Sequence, residues 1–240
     1  ISLGVNVNPS DGKICTFDCI YCEVGYNCTR RPTLPRPSRE LVAERLEAKL
    51  KEMHTAGAKL DVITFSGNGE PTTHPDFLHI IEDTIRLRNA YYPEAKVSVL
   101  TNSTLAHRPD VHRALLLADN NIMKLDTVDP AYINKVDRPT QPSYNVENIV
   151  KEMASFNGHC IVQTMFMHGT DDNGESVDNT SDSFISAWLQ TLRRIRPSVV
   201  MIYTIDRETP CPTLSKATHE ELDDIRDRVM AEGFPCSVGY

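Results

Sequence analysis

The 240-residue sequence has no apolar run approaching the ~20 residues that a membrane-spanning helix needs, which excludes an integral helical membrane protein. Internal repeats and low-complexity linkers are also missing, so neither a solenoid nor a string of tethered modules fits. Basic side chains are scarce relative to acidic ones. The 25 Lys and Arg stand against 33 Asp and Glu, a net charge of −8, which argues against binding nucleic acid through bulk charge. Hydrophobic residues make up 40%, slightly below the globular norm but far from a disordered composition. The length suits one to two domains and a core that needs no disulfide staples. Seven cysteines are too few for a disulfide scaffold and many for an ordinary cytosolic enzyme, so their placement matters more than their number. The sequence opens at Ile1 without a methionine and stops abruptly at Tyr240; further residues are expected beyond both.

Short β-rich runs alternate with amphipathic helical segments. Strands are expected at Ser2–Asn8, Asp61–Phe65, Lys96–Leu100, Ile122–Asp126, His159–Met167 and Ser198–Ile205. Helices are expected from Ser38, an N-cap, and at Pro75–Arg88, Pro109–Leu117, Pro130–Val136, Val146–Phe156, Ser183–Arg194 and His219–Glu232. Six β-then-α units point to an α/β protein with a parallel sheet, either doubly wound or an open or closed barrel. In each of these, function gathers at the C-terminal ends of the strands. There the sequence carries Cys15–Cys22, Ser66–Pro71, Thr101–Thr104, Asp126–Asp129, Met165–Gly169 and Thr204–Arg207.

Cys15, Cys19 and Cys22 form a C-x3-C-x2-C triplet within eight residues. Structural zinc wants a fourth ligand at a recognisable spacing, and Cys28 does not supply one. A redox pair needs only two cysteines. Three thiolates from one loop suit a [4Fe–4S] cluster, whose irons normally take four, and leave one iron open. Cys28, Cys160, Cys211 and Cys236 read as inert thiols. His74, His107, His112 and His168 show no metal-site spacing and read as surface or loop residues.

The triplet, with Tyr21 before its last cysteine, closely resembles the radical S-adenosylmethionine (radical SAM) enzymes. In that family SAM chelates the open iron, and electron transfer into the sulfonium releases a 5′-deoxyadenosyl radical that abstracts hydrogen from a substrate. The resemblance implies a [4Fe–4S] cluster on Cys15, Cys19 and Cys22, with Tyr21 beside the adenine. Ser66-Gly67-Asn68-Gly69-Glu70-Pro71 looks like the family's Gly-Gly-Glu-Pro element, which receives the amino group of SAM, although Asn68 splits the glycines. Thr101, Asn102 and Ser103 offer polar groups for the methionyl carboxylate or ribose. Lys124 and Asp126 alternate along one strand and so share a face; Asp126 could reach ribose, and Lys124 a carboxylate or, as an amine, a substrate. Gln163 and Met165 share a face of the fifth strand, and Arg138 and Arg207 are candidates for an anionic substrate group.

Stretches along the whole chain resemble the small group related to wyosine-type tRNA modification enzymes, which implies a partial (β/α)6 TIM-like barrel, a single radical SAM core over residues 1–240. The extra N-terminal cysteines of wyosine synthases are absent from these residues. Two basic concentrations exist, Arg30, Arg31, Arg36 and Arg39, and Arg193, Arg194 and Arg196, but the −8 charge tells against tRNA. A small molecule, peptide or protein substrate is therefore expected ahead of tRNA. Alternatives are a wyosine-like tRNA-modifying radical SAM enzyme, a glycyl-radical-enzyme activase and, least favoured, a non-catalytic Fe–S or zinc module. An electron donor such as flavodoxin or ferredoxin is implied, as is a reducing cytoplasm; no membrane partner is expected.

Overall fold

The computed structural model describes residues 1–240, which fall into two compact units: residues 1–15 with 30–122, and residues 16–29 with 123–240. In the first unit, β1 (Ser2–Val5), α1 (Arg39–Thr55), β2 (Val62–Phe65), α2 (Phe77–Tyr91), β3 (Lys96–Thr101) and α3 (Pro109–Leu117) follow one another, and β4 (Asn120–Lys124) begins. β1 pairs with β2 and β2 with β3, both parallel, in the register Ser2–Val62–Lys96. Ile63 and Phe65 on β2 and Val97 and Val99 on β3 are fully buried, the near-continuous apolar reading that a covered parallel strand requires. Ser38 caps α1 as expected, its hydroxyl accepting from Leu41 N, and Val42, Leu46 and Leu50 at four-residue spacing form the buried stripe. His74 lies in a loop, one of the two placements expected, but not at the surface. It is buried, with Nε2 against Pro37 O at 2.9 Å and Nδ1 accepting from Asp76 N at 3.1 Å, and so braces the turn before α2.

The second unit holds the end of β4, then α4 (Pro130–Val136), α5 (Val146–Ser155), β5 (Ile161–Met165), β6 (Met167–Gly169), α6 (Asp182–Ile195), β7 (Val199–Tyr203), β8 (Leu214–Lys216), α7 (His219–Ala231) and β9 (Cys236–Gly239). β5, β7 and β9 are parallel neighbours, and β6 pairs antiparallel with β8. The single expected strand His159–Met167 is broken at Phe166. Met167 N instead takes the Asn179 side chain at 2.9 Å, and the chain peels away to meet β8. β8 and β9 were not legible because both are short and half exposed, with no apolar run to mark them.

His168 on β6 links two acidic partners, with Nδ1 at 2.9 Å from Asp178 and Nε2 at 2.9 Å from Glu221, the capping-box residue of α7. Burial would lower the His168 pKa, but the bonds to Glu221 and Asp178 outweigh it and raise it above 6.5. Burial would raise Glu221, yet His168 and Thr218 bring it down from 4.5 to about 2. The raised histidine contributes stability in full below its unfolded value and loses it as pH rises through the folded one. The depressed glutamate contributes above 4.5 and loses it only as pH falls through about 2. Thermal stability is therefore expected to decline as pH rises from 6.5 through the folded His168 value, and His168→Gln to flatten that decline. Melting curves across pH check it, and an unchanged slope in the variant would contradict it.

Candidate active site

In the first unit the site is built on close backbone approach. Ile14, immediately before Cys15, bridges to Gly69: Ile14 N donates to Asn68 O at 3.1 Å and Glu70 N to Ile14 O at 2.8 Å. A Cβ on Gly69 would lie 2.0 Å from Ile14 O, and φ is +110°, so only glycine fits. Asn68, which splits the glycines, is used by the chain itself: its Nδ2 donates to Pro9 O at 3.0 Å. The Gly-rich turn thus carries the base of Cys15 directly.

Glu70 is buried and fully engaged. Its carboxylate accepts from Thr72 N (3.1 Å), Thr72 Oγ1 (2.6 Å), Thr101 Oγ1 (2.7 Å) and Asn102 N (2.7 Å), which joins the turn after β2 to the end of β3. Burial raises its pKa and those four donors oppose the rise. Asn102 Nδ2 reaches Cys15 Sγ at 3.7 Å, and Thr104 holds Asn102 Oδ1. Ser103 is left-handed at φ 69°, and its buried hydroxyl has no partner. Glu70→Ala strands several buried donors at about 1–3 kcal/mol each. The variant is expected to lose stability in urea even without any cofactor; wild-type stability would show that these bonds carry no net weight.

In the second unit the loop carrying Cys19, Tyr21 and Cys22 packs against the end of α4. Tyr21 Oη donates toward Asp126 at 2.5 Å and Asp137 at 3.1 Å. Lys124 Nζ lies 2.5 Å from Asp126 and 3.9 Å from Asp137, and 4.4 Å above the Tyr21 ring. Burial would lower the Lys124 pKa, but Asp126, Tyr203 and Asp137 hold it well above its ordinary value. Lys124 is thus paired with carboxylates, the first of the two roles expected for it. Asp126 lies just beyond the end of β4, where Met165 N also donates to it at 2.9 Å. Burial, then the neighbouring Asp126 charge, raises Asp137.

Tyr21, Cys22, Met165, Tyr203 and Arg207 line a cavity of ≈ 250 Å³ in this unit. Arg207 stands at its rim, largely exposed, 3.2 Å from Glu23. Arg138 turns to Lys135 O (3.1 Å) and Asp172 (3.1 Å) and stacks toward Tyr26, away from the Lys124 cluster. On Gln163 the main-chain oxygen accepts from Leu125 N at 2.9 Å, and Ser66 N donates to Val5 O at 3.3 Å. Two groupings of expected residues result: Cys15 with the Gly69–Glu70 turn, Thr101 and Asn102, and Cys19 and Tyr21 with Lys124 and Asp126. Asp137 joins the second grouping unannounced by the sequence, since nothing local marks it as buried.

None of the seven cysteines is in a disulfide. No three His, Cys, Asp or Glu side chains converge as around one metal ion. Cys15, Cys19 and Cys22, three cysteines of one loop, are the residues that would hold an iron–sulfur cluster. Burial pushes Cys160 up to about 12 and Cys236 to about 11, in keeping with inert thiols.

The Radical SAM superfamily pattern matches residues 10–181, and the chain belongs to that superfamily. Among curated relatives, a UPF0026 protein of Helicobacter pylori (strain ATCC 700392 / 26695) is 28% identical over 227 residues, covering 93% of this chain and 67% of the relative. The Streptococcus suis SuiB structure bound to S-adenosylmethionine aligns over 99% of the chain with a TM-score of 0.68 at 15% identity. This chain spans 50% of that structure's length. A structure of TYW1 with a lysine-pyruvate adduct bound aligns over 95% of the chain and 73% of its own, with a TM-score of 0.63 at 15% identity. The fold is α/β, a partial (β/α)6 TIM-like barrel of the radical SAM type, as expected from the sequence. No helix is long and apolar enough to cross a membrane.

Proposed function

We propose that residues 1–240 form a single radical SAM core in which Cys15, Cys19 and Cys22 hold a [4Fe–4S] cluster and the neighbouring strand ends hold SAM. The observation that carries this reading is the bridge from Ile14 to Gly69, which ties the first cysteine to the Gly-rich turn. When bound and reduced, the cluster would supply one-electron cleavage of SAM to a 5′-deoxyadenosyl radical, which takes hydrogen from substrate.

The chain's own residues have the following parts. Gly67 and Gly69 present main chain to the SAM amino group, and Glu70 fixes that turn through Thr101 and Asn102. Asn102 orients Cys15, while the unpartnered Ser103 hydroxyl is left for a ligand oxygen. Tyr21 packs the adenine from the cysteine loop, and Asp126, with Gln163 and Met165 nearby on β5, serves the ribose side. Lys124, held as a cation, and Arg207 at the cavity rim draw an anionic substrate group. Arg138 acts from outside, as a clamp on Tyr26 and Asp172. An electron donor such as flavodoxin or ferredoxin supplies the reducing electron in the cytoplasm.

The substrate is a small molecule, peptide or protein in preference to tRNA. Arg39, Arg193 and Arg194, from the two basic concentrations, are each paired with a carboxylate, Asp83, Glu232 and Glu147. Those three charges are neutralised within the chain, which weakens each concentration as a phosphate surface. Anaerobic reconstitution with iron and sulfide, followed by SAM and dithionite, should yield 5′-deoxyadenosine and methionine; a rebuilt protein that leaves SAM intact would sink the proposal.

A further inference from the structure

We propose that Asp137 is a positioning residue for the cysteine loop, setting the Cys19 and Tyr21 side chains against the end of α4; the inference rests on the reading of that loop as the cofactor site. Main-chain bonds lay the loop along residues 136–140 in antiparallel sense. Ile20 N donates to Val136 O at 2.9 Å, Asp18 N to Asp137 O and Arg138 O at 3.0 and 3.1 Å, and Thr140 N to Thr16 O at 2.9 Å. The segment is itself strained. Arg138 sits at φ 48°, uncommon for a non-glycine residue, and its guanidinium is anchored on Lys135 O and Asp172.

Main-chain pairing places the loop but leaves its side chains free to choose rotamers. Asp137 removes that freedom. It is 3% exposed, and its Oδ1 accepts from Tyr21 Oη at 3.1 Å and from Cys19 Sγ at 3.7 Å. Lys124 Nζ, 3.9 Å away, holds the carboxylate from the β4 side. One short side chain thus joins a cysteine, the loop tyrosine and the strand-end lysine. A purely structural position beside the buried Ile133 and Val136 would take an apolar residue, because burying a carboxylate costs free energy unless its bonds are needed. That Cys19 and Tyr21 lie two apart, both turned to this one oxygen, points to alignment of the loop's side chains.

The test compares Asp137→Asn, which keeps an acceptor oxygen, with Asp137→Leu, which keeps the size but not the acceptor, in the full chain. Hydrogen exchange of residues 16–22 is followed in the cofactor-free protein, and bound iron is measured after anaerobic reconstitution. Asp137→Leu should exchange about tenfold faster in that segment alone, as loss of ~1.4 kcal/mol of local protection implies, and bind several-fold less iron. Asp137→Asn should match the wild type in both. A leucine variant equal to wild type, or an asparagine variant as impaired as the leucine one, overturns the proposal. Should Asp137→Leu fail to fold, Asp137→Asn decides: wild-type exchange upholds the role and accelerated exchange overturns it. A wild-type chain that binds no iron would defeat the cofactor reading, while exchange in the cofactor-free protein still judges Asp137.

Discussion

Alanine in place of Cys15, Cys19 or Cys22 should each time abolish the broad visible absorption of the reconstituted protein and all SAM cleavage. The expected loss is complete because the triplet has no spare member. Cys28 is exposed six residues beyond Cys22, and Cys160 is a buried, raised thiol on the approach to β5. A thiolate is what iron requires, and a neutral alanine methyl offers nothing. The three variants should differ in how they fold without cofactor. Cys15 is intermediate in exposure and touched by Asn102, whereas Cys19 is buried against Asp137, so Cys19→Ala should be the most destabilised of the three. Iron and sulfide analysis beside the ultraviolet–visible spectrum checks the first expectation. Any single variant that retained wild-type iron and SAM turnover would remove that cysteine from the ligand set.

The second large effect concerns the buried pair at the end of β4. Asp126 accepts from Lys124, Tyr21 and Met165 N, and its removal leaves the Lys124 ammonium buried with Asp137, 3.9 Å away, as its remaining carboxylate. Breaking a buried pair by removing one partner costs about 3–5 kcal/mol, because an uncompensated charge remains. For a protein of this size each kcal/mol shifts the midpoint by roughly 2–4 °C, so Asp126→Ala should melt on the order of 10 °C below the wild type. Lys124→Met combined with Asp126→Leu should recover much of that loss, since an apolar pair of similar volume is often no worse than the ion pair. A cycle of wild type, Lys124→Met, Asp126→Leu and the double variant measures the coupling. An Asp126→Ala protein with an unaltered midpoint would show that Lys124 finds other compensation. The separate consequence for chemistry is that Lys124→Met should still cleave SAM but lose product formation, if Lys124 faces substrate.

Much of the fold was legible because burial on both faces writes parallel strands as apolar runs. Val62–Phe65, Lys96–Thr101 and Val199–Tyr203 lie where the sequence placed strands, to within a residue or two. β6, β8 and β9 escaped because their pairing is set by tertiary contacts, such as Asn179 on Met167 N, which local composition does not encode. The candidate site was legible where chemistry demands a rare residue at fixed spacing, as with the cysteine triplet and with Gly69, whose Cβ has no room beside Ile14 O. Where partners come from distant segments the sequence was silent. Glu70 read as a group open to a ligand, but it bonds to Thr101 and Asn102, 31 and 32 residues away. Arg138 read as a candidate for an anionic substrate group and Lys124 as a partner for a carboxylate or a reactive amine; both are paired with carboxylates of the chain itself. Asp137 has no sequence signature at all, because its importance comes from burial between Tyr21, Cys19 and Lys124.

The central claim is that the three-cysteine loop leaves one iron open to SAM, and electron paramagnetic resonance of the reconstituted, dithionite-reduced protein tests it most directly. The expected result is a reduced-cluster signal whose g-values shift when SAM is added, because a ligand then enters at the open iron. A signal that SAM leaves unchanged would contradict the account.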